Sequence, residues 1–157
     1  LPMSQAAVIA GRTVADSLRN TVAVVLVAAV GYLMGFRFAS SSGAIGAIAI
    51  TIGMGFAFSW LNGAIAAKVR NAEMVGMLSM FWLFPLMLAS TAFAPVESMP
   101  GWLQGFAKYQ PISTASNAAR ALSNGTPAGD YVWQSLTWIV VLLAAFVPLA
   151  VRMYRKP

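Results

Sequence analysis

Four apolar runs, residues 20–36, 44–67, 74–94 and 131–151, contain no Asp, Glu, Lys or Arg, and they restrict the chain more than any other feature. Crossing a hydrocarbon core about 30 Å thick takes roughly 20 helical residues. Each run reaches or approaches that length, and the first reaches it if helix extends back through Val14 to Leu18. A soluble amphipathic helix shows charge every few residues along its wet face, so a water-soluble helical bundle is a poor alternative. Only 9% of the 157 residues are charged, against about a quarter in a soluble domain. The fold class that follows is all-α and polytopic, with four transmembrane helices.

The connections carry the charge. Ten Lys and Arg against four Asp and Glu give a net +6, which in a soluble protein would make nucleic acid a candidate partner. Here the basic residues sit in short clusters between apolar runs, as topogenic charges do, and no nucleic acid is expected. With residues 1–19, 68–73 and 152–157 on one side, that side holds Arg12, Arg19, Lys68, Arg70, Arg152, Arg155 and Lys156, and the other holds Arg37, Lys108 and Arg120. The positive-inside rule then places both ends in the cytoplasm and the loop 95–130 outside. The expected organisation is a cytoplasmic amphipathic segment over 1–19, a transmembrane domain over 20–151 and a cytoplasmic tail over 152–157. The start at Leu1, with no initiator Met, reads as a fragment of a longer chain.

Loops 37–43 and 68–73 are tight turns, which makes the first three spans sequential antiparallel neighbours. The 95–130 connection is of another kind. After Pro100, Trp102, Leu103, Phe106 and Tyr109 recur near helical spacing, with Gln104 and Lys108 on the other face. A second short helix is expected from Pro111 to Asn124-Gly125, with Ile112, Ala115, Ala119 and Leu122 on one stripe. Neither is long enough to span, so the pair is interfacial or re-entrant; an ordinary surface loop with two amphipathic turns is the bland alternative. Trp102, Tyr109, Tyr131 and Trp133 suit a belt at headgroup level. At the other end of the chain, Pro2 and Ser4 mark a helix start, after which Arg12, Asp16 and Arg19 share a face opposite Ile9, Val14 and Leu18. That face fits either a docking surface for a soluble partner or a plain interfacial anchor.

With no Cys and no His, the chain lacks disulfides, thiolate chemistry and an imidazole base. It has no GxxxxGK[ST] loop and no Gly-Lys dipeptide, so it does not hydrolyse ATP by that route. Ser59, Ser79, Ser90 and Ser135 have no His to activate them as nucleophiles, and no span carries the acidic residue of a proton relay. Catalytic, cofactor and metal sites are therefore expected to be absent. The most polar intramembrane side chain is Asn62, with Thr51, Ser59, Ser79, Ser90 and Thr91 milder. Each has a structural reading as a helix-to-helix or back-bonded hydrogen bond; the functional reading is that Ser59 or Asn62 lines a substrate path. Gly43, Gly46, Gly53, Gly55 and Gly63, and the Gly31–Gly35 pair, are read as close-packing positions. Pro85 removes a backbone hydrogen bond inside the third run and is a candidate kink or hinge on the same path; Pro148 does this more weakly in the last.

The stretch FPLMLASTAFAPVESMPGWLQ (84–104), then Tyr109-Gln110-Pro111-Ile112-Ser113 and Ala119-Arg120-Ala121-Leu122, resembles the corresponding end of ABC type-2 transporter permeases, in particular the daunorubicin/doxorubicin-resistance-like branch. The opening LPMSQAAVIAGRTVADSLR is similar to a cytoplasmic loop of those proteins. The resemblance implies the last four spans of a six-helix permease in a bacterial plasma membrane. It implies work as a homodimer or paired permease, with ATP bound and hydrolysed on a separate ATP-binding cassette subunit that docks near residues 1–19. It also implies re-entrant or interfacial helices in the outer loop. Gln110 departs from the Asn often found there and is a poorer helix cap. The expected function is that of an exporter's membrane subunit, moving a small lipophilic or amphipathic drug, antibiotic or lipid outward. A non-transporting structural subunit and a secondary drug transporter are the alternatives.

Overall fold

The computed structural model describes residues 5–69 and 71–155, without the side chains of 5–10, 12, 72, 154 and 155. The chain runs through α1 (Gln5–Leu33), α2 (Ser41–Val69), α3 (Ala72–Leu88), a 3-10 turn (Val96–Ser98), α4 (Gly101–Tyr109), α5 (Pro111–Asn124) and α6 (Gly129–Arg155), with no strand among the described residues. The helix start expected at Pro2 and Ser4, and the charges Arg70 and Lys156, lie outside the described residues.

Helix α1 is 29 residues long, about 43 Å at 1.5 Å per residue, and it continues unbroken across residue 19. It stops at Leu33 rather than Phe36. The Phe36 amide donates to the Gly31 carbonyl (3.0 Å) and the Gly35 amide to the Tyr32 carbonyl (3.1 Å), the paired bonds of a Schellman ending. Gly35 sits at φ +100°, where a side chain is strained. A Cβ at Gly31 or Gly35 would meet nothing within 4 Å. Among the described residues, no other helix is therefore packed closely on the pair, and Gly35 serves the turn.

Helix α2 is the centre of the bundle and packs against α1, α3, α5 and α6. Its buried residues Gly43, Ala47, Ile50, Met54, Ala57 and Ala64 fall on one stripe, the side that small residues allow neighbours to approach. Met54 and Ala57 meet Leu142 of α6, with Phe58, Ala115, Trp138, Ile139 and Phe146 packed around them. At Gly43 a Cβ would collide with the backbone carbonyl of Leu122 on α5, and at Gly55 with the side chain of Asn20 on α1. Gly63, read in the same way, has open space around it.

Large apolar side chains also face outward: Phe81 is 80% and Val27 73% exposed. In water that surface would drive aggregation; beside lipid tails it costs nothing. Helices α1 (Thr13–Leu33), α2 and α6 (Gly129–Met153) are long and apolar enough to cross a membrane. The third expected span is shorter than its apolar run. Helix α3 begins where Asn71 Oδ1 accepts the Glu73 and Met74 amides (3.0 and 3.4 Å), runs through Pro85 and ends after 17 residues at Leu88, about 26 Å. Pro85 does not end it, because the Ala89 amide still donates to the Pro85 carbonyl (2.9 Å). The ladder fails one residue later, where the Ser90 amide turns to Met87 (3.0 Å) and the Thr91 amide leaves for Ser113 Oγ on α5 (3.0 Å).

The two short helices form as expected. Pro111 occupies the first turn of α5, and Gly125 at φ +70° closes it. The inward face differs from the expected stripe of Ile112, Ala115, Ala119 and Leu122. Pro111, Ser113, Thr114, Ala118 and Ala121 are the buried residues, because α5 packs chiefly against α2 and α6 while Ser113 Oγ meets the Thr91 amide and the Thr114 hydroxyl turns back to the Pro111 carbonyl. On α4 only Ala107 is buried, and Trp102 is 81% exposed.

Candidate functional site

Single polar side chains pin the long helices together. Asn20 Nδ2 of α1 donates to the Ile52 carbonyl of α2 (3.3 Å), beside Gly55. Ser79 Oγ of α3 donates to Asn62 Oδ1 of α2 (2.9 Å). In an apolar surround each such group needs a partner, and the partner it finds sets helix register. Of the three residues expected on a substrate path, Asn62 is thus engaged with α3. Ser59 donates back to its own helix at Phe56 (2.9 Å), and Pro85 is exposed on α3. No hydrogen bond joins Ser59 to Asn62. Next to them Phe58 and Trp82 pack with ring centroids 5.5 Å apart, and the Trp82 indole N–H is buried without an acceptor.

Where α3 stops, Gln110, at the N-cap position of α5, and Ser113, Asn117 and Arg120 along one face of α5 grip the end of α3 and the turn after it. Gln110 Nε2 donates to the Leu86 carbonyl (2.9 Å). Ser113 Oγ accepts the Thr91 amide, Asn117 Oδ1 accepts from Thr91 Oγ1 (3.1 Å), and Arg120 reaches the Thr91 carbonyl (3.4 Å). Gln110, read from sequence as a weak cap, makes no capping bond; its side chain, 2% exposed, is turned to α3 instead. Trp138 Nε1 of α6 donates to the Tyr109 carbonyl (2.7 Å) and anchors the α4–α5 joint. The far end of α5 is held by the Ala39 amide donating to the Ser123 carbonyl (2.9 Å).

An open cleft of about 420 Å³ lies between α1, α2 and α5, walled by Val24, Val27, Gly31, Phe38, Ala47 and Ile48 among others. Thr51 is among its few polar residues, and its hydroxyl is turned to the Ala47 carbonyl (2.8 Å). Such walls accept an apolar or amphipathic molecule without discriminating finely among them. Sequence reading missed this cleft, since its lining comes from three separate helices. It also missed Asn20, which stands at the start of an apolar run and looks like a boundary residue. Asp16 and Arg19 are exposed on α1, and the Arg12 side chain lies outside the described residues.

A bundle of long apolar helices joined by isolated polar pins, one end closed by a helical elbow, defines a multi-pass membrane protein. Residues 1–123 match the family model described as ABC-2 type transporter, and the chain belongs to that family. It is 37% identical over 157 residues to the daunorubicin resistance ABC transporter permease protein DrrB1 of Streptomyces coeruleorubidus, a match covering 99% of this chain and 56% of that protein. It is 28% identical over 166 residues to the probable doxorubicin resistance ABC transporter permease protein DrrC of Mycobacterium tuberculosis, with the same shares. A 95-residue match at 26% identity relates it to the probable multidrug ABC transporter permease YbhR of Escherichia coli, over 60% of this chain and 26% of that one. The chain thus spans about half the length of the two drug-resistance relatives. No solved structure matches it.

Proposed function

We propose that this chain forms the membrane-spanning part of an ATP-driven exporter's permease subunit, moving a lipophilic or amphipathic compound outward across a bacterial plasma membrane. The observation that carries the reading is the apolar cleft between α1, α2 and α5, in a chain whose relatives bear the names of drug-resistance permeases. The chain has no phosphate-binding loop, so ATP is bound and hydrolysed on a separate cassette subunit. Two permease subunits work together, as a homodimer or a related pair. Both ends of this chain lie in the cytoplasm, residues 95–130 lie outside, and the face bearing Arg12, Asp16 and Arg19 docks the cassette.

The test is ATP-dependent uptake of a lipophilic dye into inverted vesicles holding the intact permease and its cassette. Ala28 also lines the cleft, and filling it with Ala28→Phe should slow uptake while leaving membrane insertion unchanged. Undiminished uptake with the cleft filled removes it from the path, and uptake that needs no ATP favours a secondary transporter.

A further inference from the structure

We infer that α3 is a two-length helix and that the polar face at the start of α5, led by Gln110, holds it in the short form. The apolar run continues to Ala94 without a helix breaker, and Pro95 disfavours helix at the residue before it. Local sequence therefore permits α3 to run from Ala72 to about Phe93, roughly 33 Å and a full crossing. The structure stops it at Leu88, about 26 Å and short of one.

What stops it is substitution of hydrogen bonds. In a continuous helix the Leu86 carbonyl accepts the Ser90 amide and the Met87 carbonyl accepts the Thr91 amide. Here Gln110 Nε2 occupies Leu86, the Ser90 amide has moved to Met87, and Ser113 Oγ takes the Thr91 amide. The Leu86 carbonyl and the Thr91 amide thus find partners on Gln110 and Ser113, while the Ser90, Ala92 and Phe93 amides are re-paired locally with Met87 and Ser90, which offsets part of the cost of the break. Asn117 and Arg120 extend the grip to the side chain and carbonyl of Thr91. One group argues that the short form is held rather than relaxed: Gln110 Oε1 is buried with no partner, and release of the amide ends that burial.

The moving part is the end of α3. The elbow stays fixed, tied to α6 by Trp138 and to the α1–α2 turn by Ala39, with Gly43 pressed against Leu122. Lengthening α3 withdraws residues 89–93 from the outer surface, beside the recess of about 380 Å³ that Thr91 to Glu97 form with Asn117 and Arg120. The switch is a property of α3 and α5 and goes beyond the exporter reading.

The chain has no Cys, so the intact permease carrying Thr91→Cys and Asn117→Cys reports the short form by disulfide formation, the native side-chain oxygens being 3.1 Å apart. Gln110→Met keeps the size of the side chain and removes its donor, and the Gln110 side chain hydrogen-bonds to Leu86 rather than to residue 91 or 117. The expected result is slower cross-linking, the ratio of short to long form falling by about fivefold for the loss of one hydrogen bond. An unchanged rate in a variant that inserts normally overturns the proposal. With Gln110 intact, a second measurement compares ATP-driven dye uptake before and after oxidation. Uptake that stops on cross-linking and returns on reduction supports a switch used in each cycle, and equal uptake in both states overturns it. Absence of uptake in both states counts against the exporter reading, and the cross-linking rates then judge the switch alone.

Discussion

Gly43 and Gly55 both bring α2 close to a neighbour, but they predict different penalties. A methyl at Gly43 runs into the Leu122 backbone carbonyl, which moves only if α5 moves; at Gly55 it meets the end of the Asn20 side chain, which can rotate away. Gly43→Ala should therefore cost about 1–3 kcal/mol, as overpacking does, and Gly55→Ala less than about 1. Thermal melting of the two variants in the same detergent checks this, and equal losses would contradict the close approach at Gly43. The Asn62–Ser79 bond predicts a coupling of about 0.6 kcal/mol between Asn62→Ala and Ser79→Ala, the usual size for a hydrogen bond between membrane helices. Strictly additive single losses would show that the pair does not interact. Asn62 was legible from sequence as the most polar intramembrane side chain. Its partner was not, since several hydroxyls on three runs are chemically equivalent candidates.

Helices show the same division between local and distant causes. The end of α1 is local: Gly35 adopts a conformation that few other residues take, and Gln5–Leu33 follows as one rod. That rod exceeds a core of about 30 Å by roughly 13 Å. Reversing Arg12 and Asp16 together should weaken recovery of the cassette by detergent-solubilised permease. Each exposed pair contributes only about 0–1 kcal/mol, so the double reversal is the informative one. Recovery equal to wild type would identify α1 as an anchor rather than a docking face. The C-terminal end of α3 is the distant case, set by bonds to Gln110 and to Ser113 of α5.

For the molecule as a whole, sidedness is the first quantity to measure. A cysteine at the exposed Asn124 should react with a membrane-impermeant maleimide from outside, and one at exposed Lys68 only from inside; the reverse pattern would invert the positive-inside assignment. The permease purified alone should hydrolyse no ATP above background, and hydrolysis by a homogeneous sample would place a nucleotide site within it. The all-α membrane class, the turns at 37–43 and 68–73, and the two short helices after Pro100 could be read from sequence alone. Partition into lipid is close to additive over neighbouring residues, and turn and cap signals act within a few positions. The end of α3 at Leu88, the polar inward face of α5, the burial of Gln110 and the cleft between α1, α2 and α5 required the tertiary structure. They rest on hydrogen bonds between residues 22 to 29 positions apart and on walls drawn from three helices. A local pattern shows that a buried amide must find a partner, but only the packed chain determines which carbonyl it meets.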